Sequence, residues 1–298
     1  MISEQNARAL EAHSNSGLPF RISLRSVNKG VGAVALGLPF ALLLAGKLGH
    51  ACASIDSISH YYYTRVGGDV LVGALSFIGV LLLFFYRLPG NWSGTTGDVD
   101  GYLGHKPVDM WLLRIAGLCA LGVAFFPTSG TGCEMFNDAT ARVFLLDAQG
   151  GHGLSSAAVT GKISFDFWAQ TGVTNKILLN LHFISAAGMF LVLAYFSIFV
   201  FTRPQSKRAR GSKTDIGYEV STLKWWRNAG YYLFGGLILL AIAALAIKAI
   251  FLSDKPAIIK WWDMNNLTFW FEALALVAFG LSWSLKGRLW PFSYLSDS

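Results

Sequence analysis

Six stretches of the chain run for about 20 residues each with almost no charge: 31–50, 66–86, 107–127, 177–201, 228–251 and 267–285. A helix rises ~1.5 Å per residue, so each is long enough to cross a hydrocarbon layer ~30 Å thick. Hydrophobic residues make up 53% of the sequence and charged residues only 14%. A soluble domain carries about a quarter charged residues, so this chain has too few charges to coat itself with. The expected fold is an all-α, polytopic membrane protein: a six-helix bundle over 31–285, an N-terminal segment 1–30 and a tail 286–298. The loops are too short for a second folded domain, the longest being 128–176.

The formal charge of +7 would suggest nucleic acid in a soluble protein. Here the basic residues alternate by side. Segments 1–30, 87–106, 202–227 and 286–298 together hold 15 Lys and Arg, whereas 51–65, 128–176 and 252–266 hold six. Basic residues stay in the cytoplasm during insertion, so both termini are expected inside. The run "RPQSKRAR" at 203–210 is then a cytoplasmic anchor, and no nucleic-acid partner is expected. "HACAS" at 50–54 resembles a small-residue cleavage site, but 30 residues are long for a leader's basic region and the apolar run spans a full bilayer. A retained first span is expected. Cys119 falls inside the third span as a small buried hydrophobe, while Cys52 and Cys133 both fall outside and could form a disulfide there.

Local features refine this outline. In "PFRISLRSVNKG" at 19–30, Phe20, Ile22 and Leu24 alternate with Arg21, Ser23 and Arg25, the mix of an interfacial lead-in. Glycines 67, 68, 73 and 79 would let a neighbouring helix approach the second span closely. Asp109 and Arg114 lie near the start of the third span, where Arg114 can snorkel to the interface. The runs "ARVFLLDAQGGHG" and "GKISFDFWAQ" suggest a small hairpin or lid in 128–176. Aromatic anchors are expected at "KWWR" (224–227), "KWWD" (260–263) and "YYY" (61–63).

Polar residues inside the spans are the functional signal, because they are costly in lipid and face a bundle interior or a cavity. Asp69, Asn180, His182, Lys248 and Glu272 all fall in the outer slice of four spans. Counted from the span ends, Asp69, His182 and Glu272 lie roughly 4–8 Å below the interface. They predict an outward-facing polar pocket. It is either a hydrogen-bonded network, for example Glu272 with Lys248, or a site for a lipid headgroup or small ligand. His182, Glu272, Asp69 and His60 are also suitable metal-ligand types. No HxxxH or HExxH pair accompanies them, so no zinc is expected. A haem between His50 and His182 would need two facing imidazoles, and no attachment motif flanks either.

Two resemblances bear on function. His60 and Asp69, with Ser57 and Ser59, resemble the Ser, His and Asp motif near the second helix of the ceramidase and adiponectin-receptor superfamily of membrane hydrolases. That likeness implies a metal-dependent hydrolase acting at the outer leaflet. The chain departs from it in having no histidine after His182, hence no closing HxxxH pair, and six spans instead of seven. The segments "SISHYYYT" into "GDVLVGALSFIG", "LHFISAAGMFLVLAYFS" and "WFEALALVAFGLSWSLKG" are similar to a family of uncharacterised six-helix bacterial membrane proteins. This second likeness implies a bacterial inner-membrane protein and supplies no reaction.

The expected function is therefore non-enzymatic: a membrane protein whose outward polar pocket holds a lipid headgroup or small ligand. The alternative is the outer-leaflet hydrolase. A transporter ranks third, since Pro-broken helices do not recur in matching halves. The basic asymmetry gives a direct test. In a chain whose native cysteines are replaced, single cysteines at Ser155 and Ser212 are expected to differ toward an impermeant thiol reagent in intact cells. Residue 155 should label and 212 should not; labelling at 212 alone would reverse the orientation.

Overall fold

The computed structural model describes residues 23–48, 55–86, 104–128, 130–134, 162–165, 175–204, 210–214, 217–220 and 222–292, the four short strand segments by their backbone alone. It is an all-α bundle in which six helices are long and apolar enough to cross a membrane. The elements are α1 (Leu24–Leu48), a 3-10 turn (Ile58–Tyr63), α2 (Arg65–Val80), α3 (Pro107–Phe125), β1 (Gly130–Glu134), β2 (Lys162–Phe165) and the short α4 (Lys176–Leu179). They continue with α5 (Leu181–Tyr195), β3 (Arg210–Thr214), β4 (Gly217–Val220), α6 (Thr222–Ile247), the short α7 (Pro256–Met264) and α8 (Leu267–Gly287). Helices α2, α5 and α6 each run on into a five-residue π turn, at Leu81–Phe85, Phe196–Val200 and Lys248–Leu252.

Each span packs on the next in sequence, and α8 closes the ring by lying along α1. Short loops between antiparallel helices impose the first part of that order. The closure depends on glycine. A Cβ on Gly280 of α8 would stand 2.5 Å from the Leu36 backbone nitrogen, and one on Gly32 of α1 would stand 2.6 Å from that of Ser284. Between helices in lipid, attraction comes from close packing, which such small residues permit. Gly79 does the same between α2 and α3, where a Cβ would lie 2.9 Å from the Gly117 carbonyl oxygen. Of the other glycines singled out in the second span, Gly73 faces open space and Gly67 meets only its own segment, at Thr64 and Tyr61. Helical spacing alone does not tell a packed glycine from an exposed one.

Two boundaries move from the sequence outline. Helix α1 begins at Leu24, and Leu24, Val27, Asn28, Val31 and Ala35 are all buried on one face. The period of the lead-in is therefore helical from Leu24 onward; Phe20 and Ile22 lie outside the described residues. Helix α6 likewise begins at Thr222, so "KWWR" is its first turns. Trp225 and Trp226 are exposed as anchors should be, while Lys224 and Arg227 are buried and Lys224 Nζ donates to the Phe201 carbonyl. At "KWWD" the two tryptophans divide, Trp261 exposed and Trp262 buried. In the 128–176 loop, β2 falls in the second β-prone run and pairs antiparallel with β1, Gly130 opposite Phe165. The first run lies outside the described residues, as does Cys52, and Cys133 is described only as β1 backbone. A second ribbon, β3 with β4, sits in the basic loop.

The core is densest around Trp283, whose ring stands 4.7 Å from Phe201 and 4.8 Å from Phe279 between centroids. Deeper in the bundle, Ser197 Oγ donates to the Tyr231 carbonyl at 2.8 Å and lies 2.8 Å from Ser282 Oγ, joining α5, α6 and α8. Replacing Gly280 by Ala is expected to lower stability by about 1–3 kcal/mol, because the added methyl must push two backbones apart. Gly73→Ala should leave stability unchanged or raise it slightly. Unfolding midpoints of the two variants in detergent check this; equal effects would reject the packing role of Gly280.

Candidate functional site

The "DSISHYYYTR" stretch becomes a tight turn ahead of α2. Ser57, extended at φ −147° and ψ 143°, caps it by accepting from the Ser59 backbone N–H. Thr64 closes it, its hydroxyl donating to the Tyr61 carbonyl at 2.8 Å. A 3-10 turn has three residues per revolution, so three successive side chains point in three directions. Tyr61 is thereby driven into the bundle, 3% exposed, beside Phe269 and against Gly46 and Gly67. The expectation that the tyrosines are simple interfacial anchors is corrected at Tyr61 and at half-buried Tyr62, which packs on the core. Burial also pushes the Tyr61 phenol pKa up.

The turn is bound to two distant helices. The Glu272 carboxylate on α8 accepts from Ser57 Oγ at 2.9 and 3.0 Å, from the Ile58 backbone N–H at 2.5 Å and more distantly from Ser59 Oγ at 3.4 Å. Ser59 Oγ lies 2.8 Å from His182 Nε2 on α5, and His182 Nδ1 is 2.8 Å from the Phe126 carbonyl oxygen. A carbonyl only accepts, so Nδ1 carries a proton. Phe269 at the start of α8 adds a backbone hydrogen bond to the Asp56 carbonyl at 2.9 Å. Two ion pairs flank this core: Asp56 with His60 at 2.7 Å, and Lys248 with Asp263 at 2.9 Å. Lys248 Nζ also donates to Thr268 Oγ1, which accepts from Trp262 Nε1 as well, both at 2.9 Å.

Of the five residues expected to share a pocket, His182 and Glu272 meet through Ser59. Lys248 is nearby, but its carboxylate partner is Asp263 and not Glu272. Asp263 lies on α7, one short loop away from Lys248, whereas the Glu272 carboxylate is already held by Ser57, Ile58 and Ser59. Asp69 and Asn180 are exposed, and Asn180 turns back to donate to the Lys176 carbonyl at 2.8 Å, capping α4. Among the described residues no three His, Cys, Asp or Glu side chains converge on a metal-sized space. His50 lies outside the described residues. Counting along the spans put His182 and Glu272 at one level, and Ser59 joins them. Ser57 and Ser59 stood out in the sequence only through the hydrolase resemblance, and Asp56 carried no signal beyond the density of hydroxyls and acids around it.

The opposite end is sealed differently. Asp109, fully buried, accepts from Arg203 at 2.7 Å, Tyr195 at 3.0 Å and the Lys106 backbone N–H at 2.8 Å, and Arg203 also reaches the Gly104 carbonyl at 2.9 Å. Arg114 stacks over Trp111, 4.9 Å from the ring centroid, consistent with its expected structural role. Every donor at Asp109 is committed, so this cluster is a lock between α3, α5 and the loop after it.

Compared with family models, with curated proteins and with solved structures, the chain matches none.

Asp56 gives that end a pH signature. Burial alone would raise its carboxyl, but the hydrogen bond and charge of His60, its own backbone N–H and the charge of Lys248 outweigh burial and lower it. A lowered carboxyl pKa stabilises the fold above the unfolded value of ~3.9, and the contribution is lost as pH falls through the folded value. Asp56→Asn should therefore unfold more easily than the parent at neutral pH, with the gap closing in acid. Unfolding midpoints across a pH series in detergent check this; a gap that persists unchanged into acid would refute it.

Proposed function

We propose that the chain is a non-enzymatic, multi-pass protein of a bacterial inner membrane that holds a lipid headgroup or small zwitterionic ligand at its Ser59 end, facing outward. The observation that carries this is the pair of partly exposed ion pairs at the level where α8 begins. The Asp56 and Asp263 side chains are 33% and 43% exposed, and Lys248 is 24% exposed. Lys248 is close enough for its charge to act on Asp56. The exposed edges of the two carboxylates leave room for a ligand group to approach each pair. A phosphate would meet Lys248 and the Thr268 hydroxyl, and an ammonium would meet Asp56 or Asp263. The rest of the helix surface presents apolar side chains such as Trp270, Phe251 and Ile250, suited to acyl chains alongside.

A hydrolase draws on one observation, the 2.8 Å contact of Ser59 Oγ with a histidine of fixed tautomer. The surroundings oppose acyl transfer. An oxyanion needs free donors, whereas the Ile58 N–H is spent on Glu272 and the Ser59 N–H on Ser57. The Glu272 carboxylate, 3.4 Å from Ser59 Oγ, would repel the developing charge. A metal-dependent version would have to take His182 from Ser59 and Phe126, and His60 from Asp56.

Native mass spectrometry of protein released from mixed-lipid nanodiscs tests the binding. Retention of phosphatidylethanolamine is expected, reduced roughly fivefold in Lys248→Gln, about 1 kcal/mol, and unchanged in Asp69→Asn, which lies exposed on α2 outside the two ion pairs. Equal retention in the parent and Lys248→Gln would overturn the site.

A further inference from the structure

We propose that His182, Ser59 and Glu272 form a proton-binding site in which one added proton is accommodated by reversal of the Ser59 hydroxyl. The geometry allows two fully bonded states. With His182 neutral, Nδ1–H donates to the Phe126 carbonyl and the Nε2 lone pair accepts the Ser59 proton. Glu272 is then held by Ser57 and the Ile58 N–H. When a proton from water binds Nε2, that nitrogen becomes a donor and Ser59 Oγ its acceptor. The Ser59 proton must turn away, and the acceptor in reach is Glu272 Oε1, 3.4 Å off. The result is an imidazolium, a hydroxyl and a carboxylate in one chain, with no polar group abandoned.

The buried cluster at the opposite end lacks this property. At Asp109 the donors are a guanidinium, a phenol and an amide N–H, and none of them is an imidazole nitrogen that can serve as either acceptor or donor. Ser59, at 8% exposure, and His182, at 3%, are nearly closed to solvent, so an orphaned donor there would be expensive. The charged groups facing the site also suit the exchange. Glu272 supplies the counter-charge from α8. His60 lies on the same turn as Ser59 and is hydrogen-bonded to Asp56, and Lys248 is paired with Asp263. Proton uptake would pull the Ser59 hydroxyl onto Glu272 and hold the turn more tightly to α8 in acid than at neutral pH. Headgroup binding is not required for this, since His182, Ser59 and Glu272 belong to neither ion pair.

The test uses the full chain in nanodiscs, labelled with nitrogen-15 in histidine, with the His182 signals identified by their loss in His182→Gln. As pH falls, Nε2 is expected to change from the lone-pair to the protonated form while Nδ1 stays protonated throughout. Glu272→Gln removes the counter-charge, so the midpoint should fall by about one to three pH units. Ser59→Thr keeps the hydroxyl and should titrate as the parent does. A His182 signal that stays constant across the pH range in which circular dichroism shows folded helix would overturn the proposal. So would an unchanged midpoint in Glu272→Gln. Should Glu272→Gln fail to fold, the parent and Ser59→Thr still decide, since a site built on the shared hydroxyl requires both to titrate alike.

Discussion

Water is scarce in the middle of a bilayer, and nearly everything in this molecule follows from that scarcity. A polar group left without a partner in hydrocarbon costs several kcal/mol. Several of those within the bundle have been matched to a partner far along the chain. Ser197 bridges to Ser282 and the Tyr231 carbonyl, Asp109 gathers three donors, and Glu272 collects the hydroxyls and amide N–H of a turn more than 200 residues earlier. The apolar faces position the helices approximately. These matches set their rotation and their height.

The two ends of the bundle use the same physics for different purposes. At the Arg203 end the charge on Asp109 is met by a permanent cation and the neighbouring volume is filled by Phe201, Tyr231 and Trp283. Nothing there can change state without breaking a contact. At the Ser59 end the partners are hydroxyls, a histidine and surface ion pairs, all groups that can turn, titrate or trade partners. Bonding is thus fixed at one end of the bundle and exchangeable at the other.

The sequence made the spans legible because twenty apolar residues in a row have few other uses. Their depth scale was legible too, which is why His182, Lys248 and Glu272 were found at one level. Direction around each helix was not. Asp69 sits at the right depth and faces out, and Gly73 is as much a glycine as Gly280 yet touches nothing. Rotation is set by packing partners from other helices, which no local period records. The tyrosine run failed for a related reason: a belt of aromatics and a 3-10 turn have the same composition, and only the turn's geometry sends Tyr61 inward. The partner of Lys248 was missed because a nearer acid, Asp263, lay in a segment read as loop.

The closing of the ring by α8 on α1 has a consequence for how the protein is made. Chains insert from the N-terminus, and the first helix and the 55–64 turn are in place long before the last span leaves the ribosome. Until then Gly32 faces no backbone, and Ser57 and the Ile58 N–H have no carboxylate to hold. The early helices must wait in lipid with open polar groups, shielded by water at the interface or by the insertion machinery. The twenty or so residues of α8 thus act as a keystone. A chain cut short before α8 would keep five spans of correct composition and still lack the contact that makes them one bundle.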